Sequence, residues 1–593
     1  MLDRLVTRCN RDLRSKMNEF GYDVKTSGVC ESFIFQLFRK IFQGRDYLQG
    51  EENRRLFDQF IQIILNTPNL KIEIEMIQEK NGIHLTARDY VFLNILGFFD
   101  EIKVLLEPRH HKRLLNKSLQ QVHFEEVYNC LEPLSQRGCP GVAFIHTQVG
   151  IKNFAESINY FSALEKALLA VFMIAPELHH QVGIGLCANK HRVGLAYDLP
   201  RRCWRIEDSN IFPNFIETDS NNLPFYLWQL LKETHQFLGF GLIVLVHEKF
   251  PLIQELIYRL SLVKAMEVHS IHPAITFRET VRGDRLPHLA VRENDLEMFT
   301  SILNLSTGYL DQGDQEGFTP LHFAALFNRH TIISQYGKYA DLNKLNKGGL
   351  APIHVAASHG SCNAVQALLN LGVLANTLDV DAWTPLHHAI FNTHLDLVEL
   401  LIKNGAMANV KDKNGETPAH LLLDQPYEDF NDMDEDNHDK VVLERDYINI
   451  IIMLAKNGAD FTIQNHAGDS PLSLAVENNH WDIVMLMLGY TRGASNIPLE
   501  VRKDLIDNTV ILRKKFIYFI NELSDENLPL QEELIHEIEN KENLLGILLA
   551  DKGKTSLQEV SYFSKRNSDA RERKRKEYLE AVLNAEHSIS NRR

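Results

Sequence analysis

Apolar positions recur with a helical period over 31–43, 51–65, 155–174, 224–237 and 251–266. Strand-like segments fall at 141–146, 180–187, 191–198, 201–208 and 240–247. Residues 1–275 therefore predict an α+β domain, a helical part followed by a mostly antiparallel sheet. The segment "ANK" (188–190) reads as a short hairpin connection, which sets position 198 across from position 180. After 495 the pattern is helical to the end of the chain, with "LEVRKDLIDNTVILRKKFIYFINEL" as its clearest stretch.

Between these parts the pattern repeats. "LPHLAV" (286–291), "TPLHFAA" (319–325), "APIHVAA" (351–357), "TPLHHAI" (384–390) and "TPAHLLL" (417–423) share one design, and "SPLSLAV" (470–476) puts Ser473 where the others have histidine. The histidines stand at 288, 322, 354, 387 and 420, so the unit is 32 to 34 residues long. A Thr or Ser caps the first helix of most units, and Pro follows where a helix needs no N–H. Glycine closes runs such as "DLVELLIKNG" (396–405). Residues 286–490 thus resemble ankyrin repeats, about five to six of them. The resemblance implies an all-α solenoid whose concave face binds a protein. The histidine row reads as polar bonding within each loop, because the repeat spacing separates successive rings.

One spacing breaks the period, His420 to Ser473 being 20 residues too long. The excess, 424–443, contains the acidic run "DQPYEDFNDMDEDNHDK" (424–440), a solvated insertion or a docking loop for a basic partner. Asn343, Asn376 and Asn409 each precede a repeat histidine by 11 residues and sit at the turn between units. In ankyrin proteins such an Asn can be a substrate of a host asparaginyl hydroxylase, and Asn376 and Asn409 fit that pattern best.

Composition narrows the functional classes. The 593 residues exceed one core and point to several domains. With 63 Lys and Arg against 78 Asp and Glu, the net charge of −15 argues against non-specific nucleic-acid binding. Seven scattered cysteines form no CxxC pair, so neither a disulfide framework, a zinc ribbon nor another metal or cofactor is expected. Arg4, Arg8, Arg11, Asp12 and Arg14 break any signal peptide, and no apolar run approaches the ~20 residues that span a bilayer. The expectation is a soluble protein of a reducing compartment.

The stretch "GVCESFIFQLF" (28–38) sets Cys30 at the start of a helical run, where a helix N-terminus favours a thiolate. His180 follows 150 residues later, and Asp198 lies across the hairpin from it. Cys30, His180 and Asp198 then form a Cys–His–Asp order in which the carboxylate orients the imidazole that activates the thiol. His179 is a neighbouring alternative for the base, and Asp208, in "DSN" (208–210), a rival for the third member. Over about 20–210 this resembles the papain-like cysteine proteases, particularly bacterial effector proteases, which pair a G-x-C helix with a histidine strand and an aspartate. Val24 occupies the place of the family's oxyanion glutamine, so a dead protease fold that only binds stands as the alternative.

An ankyrin array joined to a papain-like domain resembles the type IV-secreted ankyrin effectors of intracellular bacteria such as Legionella. That resemblance implies a virulence protein acting in the host cytoplasm or nucleus. Its ankyrin face would bind a host protein, and its Cys–His–Asp site would cleave or modify that protein. An export signal would then lie in the 495–593 region, where "QEELIHEIENKEN" (531–543) is compatible and "RERKRK" (571–576) reads as a solvated helix or a nuclear signal.

Overall fold

The computed structural model describes residues 47–78, 142–188, 191–209, 214–231, 236–247, 249–280, 283–423, 438–478 and 480–490, with scattered positions before residue 100. Cys30, Val24, the segment 424–437 and everything after 490 lie outside the described residues. The chain forms two compact units, Met1–Val373 and Leu374–Arg593.

The first helices of this unit described over their full length are α1 (Tyr47–Asn66) and α2 (Leu70–Gln78). Strand β1 (Val142–Lys152) leads into α3 (Phe154–Phe172). Asn153 caps α3 by accepting from the Glu156 N–H at 2.9 Å, while the Glu156 carboxylate accepts from the Asn153 N–H. A 3₁₀ turn (Pro176–Gln181) precedes β2 (Val182–Ala188), β3 (His191–Asp198), β4 (Cys203–Glu207) and β5 (Ile216–Thr218). Then come α4 (Leu223–Leu230), β6 (Leu238–His247), α5 (Ile253–His269) and the short α6 (Pro273–Thr276).

The six strands form one antiparallel sheet in the order β1-β6-β2-β3-β4-β5. Alternation gives the strands two faces of different character. Val182, Ile184, Leu186, Val193, Leu195, Trp204, Ile206, Phe240 and Leu242 point to one face and are buried against Phe161, Leu164 and Leu168 of α3 and Leu256 and Leu260 of α5. The opposite face carries Gly183, Gly185, Gly194, Gly239 and Gly241, and helices sit close upon it. A Cβ on Gly183 would strike the Phe38 ring at 2.8 Å, and one on Gly241 would strike the Glu293 side chain at 2.2 Å.

Glu293 directly follows α7 (Leu286–Arg292), which with α8 (Leu296–Leu305) makes the first repeat. Two more helix pairs complete the unit: α9 (Pro320–Leu326) with α10 (His330–Tyr336), and α11 (Pro352–Ser358) with α12 (Cys362–Asn370). The first repeat is packed against the sheet. Asp295, the cap of α8, accepts from Met298 N–H at 3.1 Å and from Val149 N–H of β1 at 3.2 Å. The Lys264 ammonium of α5 lies 2.7 Å from the same carboxylate.

Among the described residues the second unit holds three further helix pairs. They are α13 (Pro385–Phe391) with α14 (Leu395–Lys403), α15 (Pro418–Leu423) with α16 (His438–Lys456), and α17 (Pro471–Glu477) with α18 (Trp481–Tyr490). Helix α16 starts at His438, so the last residues of the expected insertion are helical.

Candidate functional site

Two features carry chemistry. The first is at the mouth of the β3–β4 hairpin. Ala188 pairs with His191, so two residues turn β2 into β3, and the register continues through Gly185↔Gly194 and Ile184↔Leu195. Strand β4 returns along β3 with Asp198↔Cys203, Leu195↔Ile206 and Gly194↔Glu207. Antiparallel pairing therefore brings the start of β3 and the end of β4 to one place. There the His191 Nε2 and Asp208 Oδ2 are 2.9 Å apart, and the Asp208 side chain is 0% exposed.

The end of β4 is anchored from the other side. Arg54 of α1 grips Glu207 with two bonds, Nε to Oε1 at 2.8 Å and Nη2 to Oε2 at 2.9 Å. The Phe215 ring lies under both the Arg54 and the Arg205 guanidinium, at 4.5 and 4.6 Å. Arg205 in turn pairs with Glu51 at 2.5 Å. With Glu207 fixed, the neighbouring Asp208 has little freedom to leave the imidazole. In the neutral ring, a carboxylate on Nε2 favours the tautomer that carries its proton there.

The sequence-derived residues take other places. His180 belongs to the 3₁₀ turn and packs beside Gly50 of α1, where an added Cβ would meet its ring at 3.1 Å. The expected hairpin thus differs in register by one residue: β2 starts at Val182, and continued pairing would set position 181, not 180, across from 198. Such a slip exchanges the faces of all side chains involved. His179 donates from Nδ1 to the Pro176 carbonyl at 2.7 Å, and burial lowers its pKa. Asp198 accepts from the Arg201 N–H at 3.1 Å, from the Arg201 guanidinium at 2.7 Å and from Arg205 at 3.2 Å, bracing the turn between β3 and β4. Of the described thiols, Cys203 has its pKa raised by burial, with Glu217 and Asp198 adding to it. That is the reverse of an activated nucleophile.

His191 is the residue the sequence reading passed over. Its signal is positional: it opens one strand, while "DSN" closes the next, and such residues meet at one end of a hairpin.

The second feature is the repeat surface. In five units the histidine Nδ1 accepts from the N–H of the residue three positions before it, and at Thr319 and Thr384 the reciprocal bond closes a capping box. Thr319 donates its N–H to His322 Nδ1 at 3.1 Å, and His322 Nε2 donates to the Leu350 carbonyl of the next repeat at 2.9 Å. His288 and His420 do the same toward the Gln312 and Asp469 carbonyls. In the sixth unit the Ser473 hydroxyl accepts from the Ser470 N–H at 2.7 Å and replaces the ring in the cap. Burial lowers the pKa of His288, His322 and His387 to about 4, so the rings are neutral struts.

Asn376 accepts from the Met407 N–H at 2.8 Å and donates to the Gly405 carbonyl at 3.0 Å. Asn409 repeats this with Asp460 N–H and the Gly458 carbonyl. Both tie one turn to the next. Around Asn376, Leu374 and Met407 are 73% and 61% exposed, with Leu378 and Val380 also open to solvent. Such apolar side chains beside one another on a repeat edge suit a protein partner.

The described residues hold no helix long and apolar enough to cross a membrane. Residues 287–379 and 353–430 match the family described as ankyrin repeats (3 copies), which is less than half of the chain. The helices between residues 287 and 430 are accordingly ankyrin repeats, which suggest protein–protein interaction.

Proposed function

We propose that the chain is a cysteine hydrolase of the papain-like type that uses ankyrin repeats to hold its protein substrate. The observation that carries this reading is the His191–Asp208 pair, an imidazole 2.9 Å from a buried carboxylate. Cys30 is the proposed nucleophile.

In the proposed reaction, His191 Nδ1 takes the proton of the Cys30 thiol, and the thiolate adds to an amide or ester carbonyl of the substrate. The tetrahedral adduct collapses as the imidazolium returns that proton to the leaving amine or alcohol, which leaves a thioester on Cys30. Water, deprotonated by the same imidazole, then hydrolyses the thioester and restores the thiol. Asp208 keeps the ring in the required tautomer and stabilises its cationic form.

Iodoacetamide with peptide mass analysis tests the reading. Cys30 is expected to react well below the ordinary thiol pKa of about 8.5, faster than Cys187 and Cys203. His191→Ala and Asp208→Asn should slow it. If instead His180→Ala and Asp198→Ala slow it and the first two do not, the catalytic set is Cys30, His180 and Asp198. Indifference to all four variants makes Cys30 a core residue and the protein a binding scaffold, the reading favoured by Val24 at the oxyanion position. Delivery into a host cell and a host protein as substrate are part of the proposal. A reporter fused to the N-terminus, with the C-terminus left native, checks delivery. Hydroxylation of Asn376 or Asn409, seen as one added oxygen on the peptide, checks host contact.

A further inference from the structure

Helix α1 meets β4 through a cluster of charges. Arg54 grips Glu207 and also donates from Nη1 to the Asp58 carboxyl, one turn further along α1, at 2.9 Å. Arg205 pairs with Glu51 and, at 3.2 Å, with Asp198 of β3. Two buried guanidinium groups, Arg54 and Arg205, thus serve four carboxyl groups, those of Glu51, Asp58, Asp198 and Glu207. Arg201 reaches only Asp198 among them, and its own side chain is half exposed. The cluster holds more acid than base.

Asp58 is the worst served of the four. Its Oδ2 has one bond, from an arginine whose Nε and Nη2 are both on Glu207. Its Oδ1 is buried with no hydrogen-bond partner. A buried unpaired oxygen costs far more on an ionised carboxylate than on a neutral carboxyl. Arg54 and Arg205 favour the ionised form, while Glu207 and Glu51 oppose it. Burial is the largest influence and raises the Asp58 pKa to about 6. The 3₁₀ turn beside α1 adds His179 and His180. Burial lowers the His179 pKa, so that ring acts in the opposite sense.

We infer that the junction of α1 with β4 takes up one proton on Asp58 in mild acid and is tighter with that proton than without it. A neutral Asp58 no longer repels Glu207, and the Arg54 charge is left to Glu207 alone. Asp208 follows Glu207 directly, so pH sets how firmly the end of β4 holds the candidate site. The inference stands without the hydrolase reading, because it concerns the hold on β4 and not a reaction. Its sign follows from linkage: the fold binds this proton more tightly than the unfolded chain, where Asp58 has the ordinary 3.8. The contribution is complete below pH 3.8 and is lost as the pH rises through about 6.

Hydrogen exchange on the full chain at pH 5 and 7.5, corrected for the intrinsic rate, tests this in peptides covering 47–66 and 203–209. Protection in the wild-type chain is divided by that in Asp58→Asn, which cannot take up the proton. The ratio should be about tenfold higher at pH 5 than at pH 7.5, for a pKa that moves from 3.8 to about 6. Taking the ratio cancels His179 and the other groups that titrate in both chains. If Asp58→Asn does not fold, Asp58→Ala is the reference, since it too lacks the proton site. A ratio that is the same at both pH values, or that falls toward acid, overturns the inference. So does a change confined to the 47–66 peptide, which would leave the hold on β4 untouched.

Discussion

Asp295 is the point at which the sheet and the repeats share one side chain, and its removal should be felt on both sides. The carboxylate caps α8, accepts from Val149 N–H and faces Lys264 at 2.7 Å. Loss of a helix cap costs about 1 kcal/mol. Orphaning a buried backbone N–H costs about 1–3 kcal/mol. Breaking a buried ion pair costs about 3–5 kcal/mol, but Lys264 retains the Thr147 carbonyl at 3.0 Å and Glu297 at 3.7 Å. These terms belong to one group and do not add, so Asp295→Ala should cost about 3–4 kcal/mol. Asp295→Asn keeps an oxygen for the cap and should cost about half as much. A chain of several parts is not two-state, so the assay is hydrogen exchange followed by peptide. Protection should fall together in 146–152 of β1 and in 296–305 of α8. If Asp295→Ala costs under about 1 kcal/mol, or loosens only the repeat peptide, the shared carboxylate does not join the two.

Acid should weaken the repeats. Burial puts His288, His322 and His387 near 4, below the ordinary 6.5, so the unfolded chain binds protons more readily than the fold does. Stability is then complete above pH 6.5 and falls as the pH drops toward 4, by about 1.4 kcal/mol per ring at pH 5.5. Exchange from the 319–326 peptide should show this, and His322→Ser, which copies the cap of the sixth repeat, should flatten its pH dependence. A peptide equally protected at pH 7.5 and 5.5 contradicts the assignment of neutral buried rings. Ala325→Leu or Ala357→Leu, at fully buried positions, should overpack neighbouring helices and cost about 1–3 kcal/mol of exchange protection in the peptides of their own repeats. Asn376→Ala removes two bonds between successive turns and should cost about 1–2 kcal/mol. Unchanged exchange in the 395–409 peptide would reduce those bonds to incidental contacts.

The repeats were legible because most of them restate the same signals: a cap, a proline, a histidine at the third helical position, a closing glycine. The sheet was nearly as legible. The expected strand 191–198 matches β3, while β1 runs on to Lys152, past the expected 146, because Val149 and Ile151 remain inward. The candidate site was harder to read. Counting residues from Cys30 led to His180, but a hairpin connection of two residues rather than three moves β2 by one position and hands His180 to a 3₁₀ turn. Asp208 was within view as a rival, whereas its imidazole partner follows from pairing across two hairpins, which no local window contains.

A repeat array ordinarily needs a polar cap at each end, because its terminal units have a face with no neighbour. Here Glu293 and Leu289 of the first unit press onto Gly241 and Gly239, so the sheet itself closes that end. Growth by duplication is consequently one-directional. A unit inserted ahead of α7 would have to fit a glycine floor shaped for another helix, while one inserted between α8 and α9 would meet helix pairs of its own kind. The protein can vary its reach for different partners without disturbing the strands that hold His191 and Asp208.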